Sequence, residues 1–130
     1  MNNSFGKAYK LCSKILLQKV YDDGKEIKEI PFVLKYIPME NSDAAPFQVV
    51  FVVPKRKFRH ATTRNQIRRY IREAVRLNKH ELESVLIKEN KQLALFLLYV
   101  GYKEVNFHDI DKKIKILLKR LTNEVSTIKK

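Results

Sequence analysis

Cysteine is nearly missing from this 130-residue chain, where Cys12 stands alone. One thiol excludes an intrachain disulfide and any metal site built from clustered cysteines, and it suits a reducing compartment. Cys12 has no histidine or acid signature around it, so it reads as a small hydrophobe and not as a nucleophile. Long apolar runs are missing too, since none approaches the roughly 20 residues that span a bilayer. The opening MNNSFGKAYKLCSK has no apolar core of the signal-peptide kind. A cytoplasmic protein with no membrane partner is therefore expected. No internal repeat of fixed period and no low-complexity tract divides the chain. One domain over residues 1–130 is expected, with about 1–7 and 125–130 loosely held.

Negative charge is the other scarcity. Fourteen acids face 27 lysines and arginines, for a net charge of +13. Self-repulsion of that size opposes a compact state, so a polyanionic partner is its natural explanation. With 45% hydrophobic residues the chain can nonetheless bury a core.

The charge is also concentrated. PKRKFRHATTRNQIRRYIREAVRLNKH, residues 54–80, holds ten lysines and arginines and one acid, Glu73. Within it Ile67, Ile71, Ala74 and Val75 keep a helical period, while Arg64, Arg68, Arg72 and Arg76 step by four along another face. Like charges at that spacing are mildly destabilising, so a solvated face explains the row poorly. A guanidinium grips phosphate through two parallel hydrogen bonds, and a row of them on a helix can follow a phosphate backbone. Asn65 adds a neutral donor and acceptor, or else bonds its own helix start. Arginine holds backbone better than it reads bases, and an apolar strand in place of a first helix argues against a helix-turn-helix. Structured RNA fits better than DNA.

The flanking segments give the fold. SKILLQKVYDDG reads as a helix capped by Ser13 and closed by Gly24 in a left-handed conformation. KEIKEIPFVLKYIP alternates as one or two strands with Pro31 at a break, and MENSDAAP reads as a hairpin turn. FQVVFVVP reads as a strand buried on both faces. The basic helix should start near Thr62 or Thr63. HELESVLIKEN adds a helical turn or two, and LALFLLYVG is a second buried strand. A closing amphipathic helix follows, with Ile110, Ile114, Leu117, Leu118, Leu121 and Val125 on its apolar face. Its Asp109 and Asp111, then Lys119 and Arg120, suit the macrodipole. The order α-β-β-β-α-β-α implies an α/β two-layer sandwich on a mixed sheet of about four strands. The strand, basic helix, strand unit should place two parallel strands in that sheet.

RNQIRRYIREA, residues 64–74, directly after a strand ending in VPKRK, resembles the RNR signature region of the bacterial ribonuclease P protein component. The likeness in chain order extends over about residues 8–123. It implies a small basic subunit of a ribonucleoprotein that removes the 5′ leader of precursor tRNA, with the chemistry in the RNA and Mg²⁺ as the metal of the holoenzyme. It also implies a left-handed crossover, against the usual right-handed rule. By matching position, Arg64, Asn65, Arg68, Arg69 and Arg72 would contact the catalytic RNA, with Lys55, Arg56 and Lys57 beside them. Leu17 and Tyr21 on the first helix would line a cleft for the single-stranded leader, and Phe32, Lys35 and Tyr36 would form its opposite wall. Aromatic faces stack on unpaired bases without demanding a sequence; core packing is the other reading for Tyr21, Phe32 and Tyr36. The chain departs from the family pattern at Gln66, where arginine is usual. It departs again at the strand-to-signature link, which has Phe58 and no glycine, and at Leu17, which replaces an aromatic. Ribonuclease P RNA and precursor tRNA are the implied partners, with one protein monomer per particle and no small-molecule substrate.

His60, His80 and His108 fall in separate elements, and the pairs Asp22/Asp23 and Asp109/Asp111 sit at helix ends. Neither set suggests a nuclease site in the protein alone. His60 and His80 are expected at the RNA surface or in solvent. A structural RNA-binding protein of ribosomal type, or an RNA chaperone, is the alternative that charge alone leaves open.

Overall fold

The computed structural model describes residues 9–11, 13–39, 45–56, 58–101 and 106–126. Helix α1 (Lys14–Asp23) starts as expected, with the Ser13 hydroxyl accepting from the Leu16 N–H at 3.2 Å. Its end differs from expectation. Gly24 has φ −68° and is extended, not left-handed. Glycine is needed for closeness instead, because a Cβ there would collide with the Val20 carbonyl oxygen and lie 3.2 Å from the Lys35 Cβ.

Strands β1 (Lys25–Glu29) and β2 (Phe32–Pro38) form an antiparallel hairpin across a cis Ile30–Pro31 bond. Then come β3 (Phe47–Val52), α2 (Ala61–Asn78), α3 (His80–Lys88), β4 (Leu93–Tyr99) and α4 (Phe107–Val125). The sheet order is β1-β2-β4-β3, with β4 antiparallel to β2 and parallel to β3. The expected parallel pair is there, joined by two helices because α3 is a full helix of nine residues. The expected β2–β3 hairpin is not there, since β4 lies between them. LALFLLY is the most uniformly apolar strand, and the middle of the sheet is the place that buries it best. Residues 40–44, in the presumed turn, lie outside the described residues.

The two faces of the sheet are covered unequally. Phe32, Leu34 and Tyr36 of β2, Leu95, Leu97 and Tyr99 of β4, and Phe47 and Val49 of β3 join Ile67 and Ile71 of α2 and the apolar stripe of α4 in one core. Every α4 residue expected inward is buried, Val125 included at 6% exposure. Residues 1–8 and 127–130 lie outside the described residues. On the other face, among the described residues, α1 packs over Ile37 and Ala94 through Val20, with Leu11 beside it. That is why β3 is not buried on both sides: Gln48, Val50 and Val52 stay half-buried.

Helix α2 begins at Ala61 with His60 as its N-cap and no side-chain capping bond, earlier than Thr62 or Thr63. The incoming loop is held by other means. Phe58 is buried against Tyr99 with ring centroids 5.9 Å apart, and the Arg64 guanidinium donates to the Phe58 and Arg59 carbonyls at 2.8 and 3.2 Å. At its far end, the Asn78 amide donates to Asp111 of α4 at 2.8 Å. In α4, Asn106 caps by accepting from the Asp109 N–H, and Asp109 lies in the first turn. Lys119 and Arg120 fall short of the last turn and turn to Glu81 and Glu29 instead.

Candidate nucleic-acid interface

The basic stretch does not present all its charge to solvent. Lys79 is fully buried between α2 and α3, 3.2 Å from the Glu83 carboxylate. The Tyr9 hydroxyl donates to the other Glu83 oxygen at 2.5 Å, and its ring lies 5.2 Å from the Lys79 ammonium. A buried charge this well partnered is structural. Burial, followed by the Glu83 carboxylate, pushes the Tyr9 phenol well above its ordinary range. Arg76 is bound at both ends by Glu73, at 3.0 and 2.6 Å. That bond holds the Glu73 carboxyl below its usual range. Arg64 is half-buried and serves the loop.

What remains outward is compact. Arg69 and Arg72 are exposed, and Arg68 is half-buried with its guanidinium donating to Asn65 Oδ1 at 2.9 Å. Asn65 therefore orients an arginine, rather than capping its own helix. Lys55 and Arg56 are exposed in the turn after β3, while Lys57 lies outside the described residues. Arg68 and Arg72 overhang a groove of about 220 Å³ at the β3 edge, whose other wall includes Tyr9, Lys10 and Val50. Lys10 reaches this place because residues 10 and 11 run parallel to β3, with a Lys10–Val49 bridge and the Leu11 N–H donating to the Val49 carbonyl at 3.2 Å. The sequence carried no local signal for that pairing.

A second surface lies on the thinly covered sheet face. Tyr21 of α1 is 53% exposed, and its ring meets Phe96 of β4 edge-on at 5.6 Å and 67°. Lys35 of β2, the register partner of Phe96, donates to the Tyr21 carbonyl at 2.9 Å and sits 4.5 Å from the Tyr21 ring. Leu17 is half-buried beside Ile37 and Ala94. So Leu17, Tyr21 and Lys35 do come together. Phe32 and Tyr36 do not join them: both are buried on the opposite sheet face, Phe32 at 0% and Tyr36 at 6% exposure. A strand alternates its faces, so residues 32 and 36 cannot share one with 35. Tyr36 donates to Glu124 at 2.6 Å, and burial, then that carboxylate, drives its phenol well above the usual range. Phe96 takes the place expected of them. It was missed because LALFLLY was read as buried throughout.

His60 and His108 are exposed, but His80 is half-buried with its Nδ1 enclosed and unpartnered among the described residues, not at the solvent surface. Also among the described residues, no three histidine, cysteine or carboxylate side chains converge as a metal cage. No helix among the described residues is long and apolar enough to cross a membrane.

A sheet backed on one side by an arginine-bearing helix, and open on the other beside a half-exposed aromatic pair, defines a small basic protein built to meet a polyanion. Comparison makes this particular: the family model for Ribonuclease P matches residues 5–122, and the chain belongs to that family. It is 38% identical over 103 residues to the ribonuclease P protein component of Clostridioides difficile, covering 79% of this chain and 82% of that one. With the component from Porphyromonas gingivalis the identity is 28% over 119 residues, covering 92% and 87%. In fold, it superposes on the RNase P protein of Staphylococcus aureus with a TM-score of 0.68 at 22% identity, over 88% of this chain and 96% of that one. The Thermotoga maritima protein gives 0.65 at 23%, over 85% and 96%. The role is that of the protein component of the tRNA-processing endoribonuclease ribonuclease P.

Proposed function

We propose that the subunit holds two RNA segments at once, the catalytic RNA against α2 and the 5′ leader of precursor tRNA across the open sheet face. The observation that carries this is the Tyr21, Phe96 and Lys35 cluster. It leaves an aromatic pair half in water beside a cation, on the face that carries the ten-residue α1. Stacking on such a pair suits a strand whose sequence varies between tRNAs, and the lysine suits its phosphates. Leu17 adds apolar contact but no stacking surface.

On the other side Arg68, Arg69 and Arg72, with Asn65 holding Arg68, grip the phosphates of ribonuclease P RNA. Arg64 contributes by fixing the loop that carries Lys55 and Arg56. The groove at the β3 edge links the two sides, because Val50 both lines it and packs with the α1 cluster. In this reading Mg²⁺ is a cation of the RNA particle. The protein's own part is to bind, orient and neutralise. One monomer per particle in the cytoplasm, with no small-molecule substrate, completes the reading.

The test is cleavage of a precursor tRNA by the cognate ribonuclease P RNA at low Mg²⁺, with and without this protein. Cleavage at the mature 5′ end only with both components is the expected result. Binding without any rescue of cleavage would return the chain to a scaffold or chaperone role. Cleavage by the protein alone would overturn the placement of the chemistry.

A further inference from the structure

Helix α2 has a second flank, turned away from the β3 edge and toward the start of α4. There Gln66, Tyr70, Glu73 and Leu77 form one stripe at helical spacing. With Arg69 and Phe107, the last three line a hollow of about 350 Å³, at the small end of the ~300–1,000 Å³ usual for ligand pockets. Its floor is aromatic: Tyr70 and Phe107 meet edge-on at 5.9 Å and 66°. Leu77, 47% exposed, forms an apolar rim. Arg69 and the Glu73 carboxylate, one helical turn apart, add charge of each sign to its lining.

This combination discriminates among the parts of an RNA. A phosphate would meet the carboxylate of Glu73, which Arg76 keeps ionised. An aliphatic chain would have to displace water from two charged walls. A planar heteroaromatic ring with donors and acceptors on its edge satisfies floor, rim and walls together: it can stack on Tyr70, pass beneath the Arg69 guanidinium and donate an amino group to Glu73. We propose that this hollow receives one unpaired nucleobase of the ribonuclease P RNA, a base site that shares Arg69 with the phosphate-gripping row. The proposal rests on α2 being the RNA-facing helix.

Gln66 gives the site its order. Its amide nitrogen donates to the Tyr70 hydroxyl at 2.6 Å, and its amide oxygen accepts from Arg69 at 3.2 Å. It therefore ties the ring in the floor to the guanidinium beside it. The Tyr70 hydroxyl accepts in that bond, so its own hydrogen remains to donate to the base or a 2′-oxygen. An arginine at position 66 has no acceptor for Arg69 and would repel it. The residue that departs from the family signature is the one that links these two side chains.

The experiment compares wild type, Tyr70→Leu and Leu77→Asn bound to the cognate RNA, using dimethyl sulfate and kethoxal on base edges and hydroxyl radicals on the backbone. Affinity is measured across a salt series, and folding is checked by circular dichroism and Tm. Wild type should protect one unpaired base. Both variants should re-expose it with the backbone footprint unchanged. Tyr70→Leu should weaken binding about 5- to 100-fold, with the salt slope unaltered because no phosphate contact is lost. A folded Tyr70→Leu protein with wild-type affinity and wild-type base reactivity overturns the proposal and leaves the family role intact. Should Tyr70→Leu fail to fold, Leu77→Asn decides alone, since its side chain is half in solvent: re-exposure supports the site and an unchanged pattern overturns it. Dimers of the free protein that Leu77→Asn dissolves, with no base protected, would assign the hollow to a second copy. No RNA binding by wild type would overturn this proposal and the functional reading together.

Discussion

The two faces of one sheet have been treated in opposite ways. One carries α2 and α4, of 18 and 19 residues, and buries Phe32, Leu34, Leu95 and Leu97 almost completely. The other carries α1, of ten residues, and leaves Tyr21 half in water against Phe96. Aromatic side chains occur on both, yet on the first they are mortar and on the second they are surface. The lesson is that an aromatic in a nucleic-acid-binding protein declares its role only through the layer above it.

Substitutions on the two faces should therefore fail in different ways. Phe32→Ala should cost about 3–5 kcal/mol of stability, read by urea denaturation, while the folded fraction binds precursor and mature tRNA in the wild-type ratio. A leader-specific defect there would break the contrast. Tyr21→Ala should change stability by less than about 1 kcal/mol. In the assembled particle it should weaken precursor tRNA binding by about 1–3 kcal/mol and leave mature tRNA binding alone. Equal loss for both would refute a leader site.

Alkaline pH sharpens the contrast by acting on the closed side. The phenols of Tyr9 and Tyr36 are raised above their unfolded value near 10. The native state thus keeps protons that the unfolded chain releases. Their contribution is fully present below pH ~10 and is lost as pH rises further, by up to about 1.4 kcal/mol per unit and per group. Tyr36→Phe should flatten that fall in a pH series of denaturation midpoints; an unchanged slope would mean that its phenol is not held by the fold. The smallest effect expected is from sulfate, which should raise Tm by roughly 2–4 °C by relieving repulsion among the outward arginines. An unchanged Tm would mean that the like charges cost the free protein little.

Much of this arrangement could be read in advance, for reasons that differ by residue. The isoleucines of α2 and the stripe of α4 follow a helical period, and they land inward as that period requires. The parallel pairing of β3 with β4 follows from a helix between two apolar runs. Strand alternation could also have separated Phe32 and Tyr36 from Lys35, but it does not say which parity α1 covers. The false hairpin has a similar origin, since adjacency in sequence was the only guide and β4 enters from 40 residues further on. Lys79 looked like one more surface cation because its burial depends on Tyr9, which is 70 residues away in sequence and meets it only in the fold. Asn65 was left between two roles because its partner, Arg68, was itself assigned to phosphate.

The strip of chain at residues 10 and 11 has a meaning beyond the groove it lines. A sheet of four strands has two edges, and each is a template on which another molecule's strand could add. One edge here is β1, whose KEIKE sequence studs it with charge of both signs. The other is β3, apolar except at Gln48, and the chain lays its own Lys10 and Leu11 against it. The strip occupies part of that edge from within, and so removes part of the template on which another strand could add.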